Sequence, residues 1–415
     1  MTGGASLGRN TRAVALGVAV LLGPCQAFAQ RVQRDTSIED LPRPGYEPRT
    51  IRAGSFVLMP QVEAGARLDN NILATQSNRR SDVIFLLNPS IEARQDSASA
   101  KFRAKAYGGL SRYARTSREN TTEFGASVDY SRAFGSRQSL GTLLSFDRTF
   151  ERRSDPEAEF ARNRRPALIN VAAAELEYRY DGPRVGVTAN VAATKLDYLP
   201  FEDADRDMVT YRASVKGQIR LSERISVFVQ PYVARRNPRV KIDRTGVDRT
   251  ATTYGGLAGV SLAFADRLRG DLGIGVFRSN PGDISLDAFT GIAANGRLTW
   301  RPRTRTAISM DVFRGDVATV RIGAIGRIDA RSSIRIDQEA RHNLILHGML
   351  GLRDIHYRGD FDQDERYVTA EAGARYLLNR HVSVEAIANY SQRTTPDNFN
   401  EFRRWQGFLK LILIY

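Results

Sequence analysis

The chain has 415 residues, 61 of them lysine or arginine and 46 aspartate or glutamate, for a formal net charge of +15 with 26% of positions charged. Its single cysteine, Cys25, lies in an N-terminal stretch with the marks of a secretory signal, so disulfides, thiol catalysis and zinc–thiolate sites are excluded from the remainder. Beyond that stretch no apolar run approaches the roughly 20 residues a membrane-spanning helix needs, and the counterpart of a basic exported chain is anionic lipid or an anionic polymer, not nucleic acid.

Residues 1–29 are predicted to be a cleaved signal peptide. Arg9 and Arg12 form a positive start, Ala13 to Leu22 an apolar centre, and Ala27-Phe28-Ala29 a cleavage site before Gln30. Loss of those two arginines lowers the net charge only to about +13. Gly23-Pro24 ahead of Cys25 is a poor match to a lipidation site. Residues 30–55, with Pro42, Pro44 and Pro48, follow neither helical nor strand periodicity and are expected to be a periplasmic lead-in or a partial plug.

From Phe56 to Tyr415 one unit repeats: ten to fifteen residues alternating apolar and polar, then a break rich in turn residues. The breaks alternate in length. Short ones read Gln95-Asp96-Ser97-Ala98, Phe134-Gly135-Ser136-Arg137, Asp181-Gly182-Pro183-Arg184, Leu221-Ser222-Glu223-Arg224 and Asn379-Arg380-His381. Long ones run Arg152 to Pro166, Leu199 to Asp207, Asn237 to Arg249, Tyr357 to Glu365 and Arg393 to Glu401. Because lipid leaves no backbone group unpaired, such a pattern predicts an all-β fold: a transmembrane antiparallel up-and-down barrel over residues 56–415, of about 18 strands, with short periplasmic turns and longer extracellular loops. A soluble sandwich rarely sustains so many regularly alternating strands.

Parity assigns the two faces. In the strand after the first short break, Phe102, Ala104, Ala106 and Leu110 face lipid while Lys101, Arg103 and Lys105 face the lumen. In Ala174 to Asp181, Leu176, Tyr178 and Tyr180 oppose lumenal Glu175, Glu177 and Arg179. Further on, Tyr211, Ala213, Val215, Ile219 and Leu221 oppose Arg212, Lys216, Gln218 and Arg220. Alternation is strictest near Arg327, where Ile328, Ile334 and Ile336 face out, and Arg327, Asp329, Arg331, Arg335, Asp337 and Glu339 face in. A one-residue slip would carry these charges into lipid at roughly 2 to 4 kcal/mol for each basic group near the midplane, so the register is firmly specified. The candidate pore-lining set is Lys101, Arg103, Lys105, Arg212, Lys216, Arg220, Arg327, Arg331 and Arg335. Some are equally expected to sit in ion pairs with Glu175, Glu177, Asp329, Asp337 or Glu339.

Tyr130, Phe134, Tyr178, Tyr180, Phe264, Trp300, Tyr376 and Tyr390 cluster near strand ends, as an interfacial aromatic girdle would. In the final strand, Trp405, Leu409, Leu411, Leu413 and Tyr415 share one face. A last strand closing on Leu411, Leu413 and Tyr415 resembles the signal read by the bacterial barrel assembly machinery, the first expected partner. Outer-membrane lipid and lipopolysaccharide are the second.

No catalytic constellation emerges, and neither enzyme activity, a cofactor nor a metal is expected. His342 and His381 fall in predicted turns, while His347 and His356 fall on opposite faces of one strand. The acidic run Asp360-Phe361-Asp362-Gln363-Asp364-Glu365 lacks the sharp glycine turn of a calcium loop and is read as a solvated loop.

The entry to the barrel carries Arg43-Pro44-Gly45-Tyr46-Glu47-Pro48, then Ile51-Arg52-Ala53-Gly54-Ser55-Phe56, Pro60, and Leu68-Asp69-Asn70-Asn71-Ile72. This stretch resembles the start of the beta-barrel porins also described as surface-polysaccharide-biosynthesis-like outer-membrane barrels. The resemblance implies a bacterial outer-membrane barrel that takes part in exporting exopolysaccharide or capsule, working with a periplasmic or inner-membrane export complex. The residues alone leave two other readings open, a general or anion-selective porin and a plugged structural or adhesive barrel. Residues Asp69 to Asn71 read as a turn cap, since Asp and Asn bond nearby backbone.

Overall fold

The computed structural model describes residue 38 and residues 41–158, 164–242, 246–265, 267–321, 323–359, 361–396 and 400–415. The proposed signal peptide, Cys25 and Asp360 lie outside the described residues. A short strand, β1 (Ile51–Ala53), turns back at Gly54 and pairs with β2 (Phe56–Asp69); the left-handed φ of +62° at Gly54 is one a side chain would strain. There follow β3 (Asp82–Asp96), β4 (Ala100–Tyr113), β5 (Thr121–Phe134), β6 (Gln138–Phe150), β7 (Leu168–Asp181), β8 (Val185–Tyr198), β9 (Met208–Arg220) and β10 (Ile225–Pro238). The second half comprises β11 (Ala251–Phe264), β12 (Leu268–Pro281), β13 (Phe289–Arg303), β14 (Thr306–Val317), β15 (Ala324–Arg341), β16 (Leu344–Gly359), β17 (Asp364–Leu377), β18 (Val382–Thr394) and β19 (Phe402–Ile414).

Each strand from β2 to β19 pairs antiparallel with the next, and β19 returns to pair with β2 from Gln406↔Asp69 to Ile414↔Gln61. The eighteen strands therefore form a closed barrel, the only sheet that has no edge to satisfy in lipid. Pro60 sits where this constraint relaxes. It has no N–H to offer, lies one residue beyond the β19 ladder, and accepts the Tyr415 N–H at 3.2 Å. Closure predicts heat-modifiable migration: unheated and boiled samples should run differently on a denaturing gel, and identical mobility would contradict a detergent-resistant barrel.

The alternation places the apolar set outside. Phe85, Leu87, Leu144, Val191, Ile219, Val229, Ile274, Val276, Leu350 and Leu409 are exposed, and all lie on the face directed away from the lumen. Aromatics collect at both ends of that face. Tyr130, Phe134, Tyr178, Trp300 and Tyr376 lie toward the short turns, and Phe85, Phe124, Phe146, Tyr211, Tyr254 and Trp405 toward the long loops. Tyr390 packs against Trp405 with centroids 4.6 Å apart and the rings inclined at 46°, which puts that member of the expected girdle at the long-loop end.

One boundary departs from the sequence reading. The break expected over Tyr357 to Glu365 is shorter, because β16 runs to Gly359 and β17 begins at Asp364. Polar lumenal residues prolong both strands: Tyr357 and Glu365 are buried inside the barrel, Tyr357 held by the Pro156 carbonyl and Glu365 by Arg321, so their polarity marks an inner wall and not a loop.

Candidate functional site: a charged lumen crossed by inward segments

The nine basic residues singled out from the sequence lie on the lumenal face, spread over β4, β9 and β15. They are not a bare row of cations. Arg103 pairs with Glu92 at 3.1 Å, Lys216 with Asp271 at 2.7 Å and Arg220 with Asp181 at 2.7 Å. Arg335 binds Asp337 at 2.9 Å and Arg331 binds Asp329 at 3.1 Å, while Arg212 lies 4.5 Å over the Tyr232 ring. Lys101 and Lys105 lie on β4 toward the short turns, Lys101 exposed. Of the acidic partners named from sequence, Asp329 and Asp337 take these cations. Glu175 instead accepts from Asn190, Glu177 pairs with Arg179, and Glu339 with Arg43 and Arg305.

Arg327 differs from the rest of the set. Its side chain is 2% exposed and it pairs with Glu157, a residue of the β6–β7 connection. Counting from β2, β6 and β7 are the fifth and sixth strands of eighteen, and β15 and β16 the fourteenth and fifteenth, so each pair is nine strands, half the circumference, from the other (14 − 5 = 9; 15 − 6 = 9). The β6–β7 connection therefore reaches across the barrel. Glu157 also accepts from Thr319 Oγ1 at 2.8 Å and from the Val320 N–H at 3.0 Å. The adjacent Pro156 carbonyl accepts from Tyr357 Oη at 2.9 Å and Arg321 Nε at 2.8 Å. Burial alone would raise the Glu157 pKa, but Arg327, Arg321 and the Val320 and Thr319 donors outweigh it and hold it below the usual carboxylate range.

The opposite wall bends in to meet this loop. Asp316 on β14 is in register with the outward residues Ile308 and Met310, yet its side chain is 2% exposed and contacts Arg236 on β10, Thr253 on β11 and Ser279 on β12. Arg236 also donates to the carbonyls of Val317 at 3.2 Å and Ile325 at 3.3 Å. The end of the β14–β15 hairpin is thus folded into the lumen, and Val320 at its tip packs with Ala167, Ile169, Leu196, Tyr198 and Met208 around β7 to β9. The wall it crosses is lined with rings seated against glycine: a Cβ on Gly291 would come within 2.6 Å of the Phe277 ring, and Phe277 meets Phe289 edge-on at 5.7 Å.

The base of the crossing loop is tied down as well. Arg206 donates to Glu151 and, at 2.7 Å, to the Glu157 carbonyl, and lies 4.2 Å over Tyr198. Arg153 pairs with Glu119 at 2.8 Å. A third segment, between β2 and β3, tucks in beside them, with Ala74 packed on Ala324, Ile355, Tyr357, Tyr367 and Phe402. It is launched by the motif read as a turn cap. Asp69 accepts the Asn71 N–H at 3.0 Å and binds Arg404 at 2.5 Å, while Asn70 accepts the Trp405 N–H at 2.8 Å. Asn71, fully buried, donates to Thr75 O at 2.7 Å and Arg403 O at 3.0 Å. The cap joins the first barrel strand to the last as well as turning the chain.

At the other mouth, Arg43 of the lead-in donates to Ile38 O at 2.5 Å and pairs with Glu339 on β15 at 3.3 Å. The histidines stay apart. His347 faces the lumen 3.6 Å from Glu371, whereas His356 faces outward, 2.8 Å from Asp364. Among the described residues no group of three or more His, Cys, Asp and Glu is placed to hold a metal ion.

The family model described as "Putative beta-barrel porin 2" matches residues 43–413, nearly the whole chain. The chain belongs to this family. As a beta-barrel porin it is a protein of the bacterial outer membrane, with the short turns on the periplasmic side and the long loops outside. No curated protein matches it. Among solved structures it is similar to the outer membrane protein opdK from Pseudomonas aeruginosa, with a TM-score of 0.46 and 10% identity over 86% of this chain and 99% of that one. It is also similar to OccAB3 of Acinetobacter baumannii (TM-score 0.45, 8% identity, 87% of this chain and 99% of that one). The FrpB iron transporter from Neisseria meningitidis is matched at TM-score 0.44 and 12% identity over 82% of this porin, which spans 63% of that transporter's length.

Proposed function

We propose that this porin is a passive conduit for small anionic solutes, with arginine-rich walls that attract them and inward segments that set the size limit. The docking of Glu157 on Arg327 carries the reading, because it fixes folded chain across a lumen that eighteen strands alone would leave wide. Charges on such a wall act in a water-filled passage bounded by low dielectric, where their field is focused, and the carboxylates beside them keep anions from binding tightly. Single-channel recording in planar bilayers tests this. Anion preference with rejection of longer anionic oligosaccharides supports it, cation preference overturns it, and absence of conductance would favour a plugged structural barrel.

Export of a surface polysaccharide, expected from the resemblance, is the second reading. It requires the crossing segments to leave the lumen, and the observation in its favour is that ion pairs and hydrogen bonds, which can exchange for water, hold Glu157 in place. Passage of an anionic polysaccharide only in the presence of a periplasmic or inner-membrane partner would support export over free diffusion.

Assembly is proposed to depend on the end of β19. Leu411, Leu413 and Tyr415 are exposed on the lipid face, and the Tyr415 ring lies 6.2 Å from that of His381. Tyr415→Asp is expected to lower the outer-membrane level several-fold without loss of export to the periplasm. Unchanged levels in fractionated membranes would make the Tyr415 ring incidental.

A further inference from the structure

Seven outward-facing arginines lie within three residues of the long-loop end of their strands; one of them, Arg366 on β17, pairs with Asp354 at 2.6 Å, and the other six are Arg112 on β4, Arg148 on β6, Arg235 on β10, Arg278 on β12, Arg314 on β14 and Arg403 on β19. Each follows the alternation of lipid-facing neighbours such as Phe146, Val276 and Trp405. The partners of these six are neutral. Arg148 donates to Asn170 at 2.9 Å, Arg235 to Asn237 at 3.1 Å and Arg278 to Asn280 at 3.4 Å, while Arg112 and Arg314 donate to the carbonyls of Thr121 and Ile292. Among the described residues none of the six pairs with a carboxylate, in contrast to the ion-paired arginines of the lumen.

The opposite ends of the same strands carry no such charge on the outer face. There the outward positions are Phe102, Leu140, Val227, Leu268, Ile308 and Leu413. Arg132 on β5, 5.6 Å over Phe134, is an outward basic residue at that end, on a different strand. A strand of fourteen residues tilted by about 40° spans about 36 Å, so roughly 5 Å at each end projects beyond an apolar band about 25 Å tall. Arginines at this depth carry their guanidinium groups to the headgroups along apolar stems.

We propose that this ring binds the phosphate groups of the lipid in the outer leaflet, that is, phosphorylated lipid A, and fixes the depth and orientation of the barrel in an asymmetric membrane. Guanidinium groups oriented by neutral acceptors keep their charge available for phosphate, which they bind through paired N–H donors. The inference does not rest on conduction. Full-length protein in detergent would be titrated with bisphosphorylated lipid A and with its dephosphorylated form, beside a variant carrying Arg112→Gln, Arg235→Gln, Arg278→Gln and Arg403→Gln. The native barrel should prefer the phosphorylated lipid by at least about tenfold, and the variant should lose that preference while keeping heat-modifiable mobility and native conductance, since each basic group near a lipid surface contributes a modest additive attraction. Equal binding of the two lipids, a preference that survives the substitutions, or displacement by millimolar inorganic phosphate, which would mark a site for free anions, would each overturn it. If the substitutions prevent assembly, native protein with and without high salt provides the same comparison, and a preference insensitive to salt counts against the ring.

Discussion

Glu157→Gln is expected to raise single-channel conductance several-fold and to add fluctuating open levels. Glu157 is 12% exposed, and the substitution removes the charge opposite Arg327 while preserving side-chain size. Removing one partner of a buried ion pair costs about 3–5 kcal/mol, which shifts a docked–undocked equilibrium by at least a hundredfold if most of it falls on the loop. Arg327 keeps Asp329 as a second carboxylate at 3.7 Å, so the wall itself should tolerate the change. The loop remains tethered at its base by Arg206 and Glu151, and at the far wall neutral acceptor contacts such as those of the Pro156 carbonyl with Tyr357 and Arg321 remain once the charge pairing with Arg327 is gone. Unchanged conductance in a heat-modifiable variant would show that the crossing loop does not limit the passage. The same pair sets a pH dependence. Because the pKa of Glu157 is depressed when docked, its contribution to docking is fully present above the ordinary carboxylate range and is lost as pH falls through the docked value. Native conductance should therefore be flat through neutrality and rise only in strong acid.

The barrel was legible because lipid imposes a period of two on every strand and punishes register errors. Alternation around Lys101, Tyr211 and Ile334 located the wall without any tertiary information. The crossing segments were not legible to the same degree, since whether a loop folds inward depends on partners half a circumference away. Two signals were nonetheless present. The β6–β7 connection, residues 151–167, contains Pro156 and Glu157 in a stretch rich in both signs of charge, and β15, at 18 residues, exceeds what the wall needs, so its end has to go elsewhere. Arg327 looked like any other lumenal cation because parity gives direction and not depth. The Leu68-Asp69-Asn70-Asn71 element read correctly as a cap, but its bonds to Trp405 and Arg404 join chain segments about as distant as this sequence allows, and no local pattern foretells that.

Neutralising the basic wall while sparing Arg327 is expected to convert the porin from anion-preferring to cation-preferring. The substitutions are Arg212→Gln, Lys216→Gln, Arg220→Gln, Arg331→Gln and Arg335→Gln; Arg327 is excluded because it anchors the crossing loop, so its loss would change pore size and charge together. The direction follows from the partners. Removing Lys216, Arg220 and Arg335 leaves Asp271, Asp181 and Asp337 without the cations that pair them, so the wall gains uncompensated negative charge as well as losing positive charge. Asp329 is the exception, since Arg353 still holds it through Nε at 3.0 Å and Nη2 at 2.6 Å, and the deep charge network should survive. The exposed pairs, such as Arg220 with Asp181, contribute little to stability, which keeps the fivefold variant foldable. Reversal potentials in a salt gradient provide the measurement, and the sign should change because a charged wall excludes ions of its own sign over about a Debye length, close to 10 Å at 0.1 M salt. A reversal potential that keeps its sign and size would mean that ions pass where these side chains do not reach, and the wall would then be a structural lattice of ion pairs with selectivity set at the crossing segments alone.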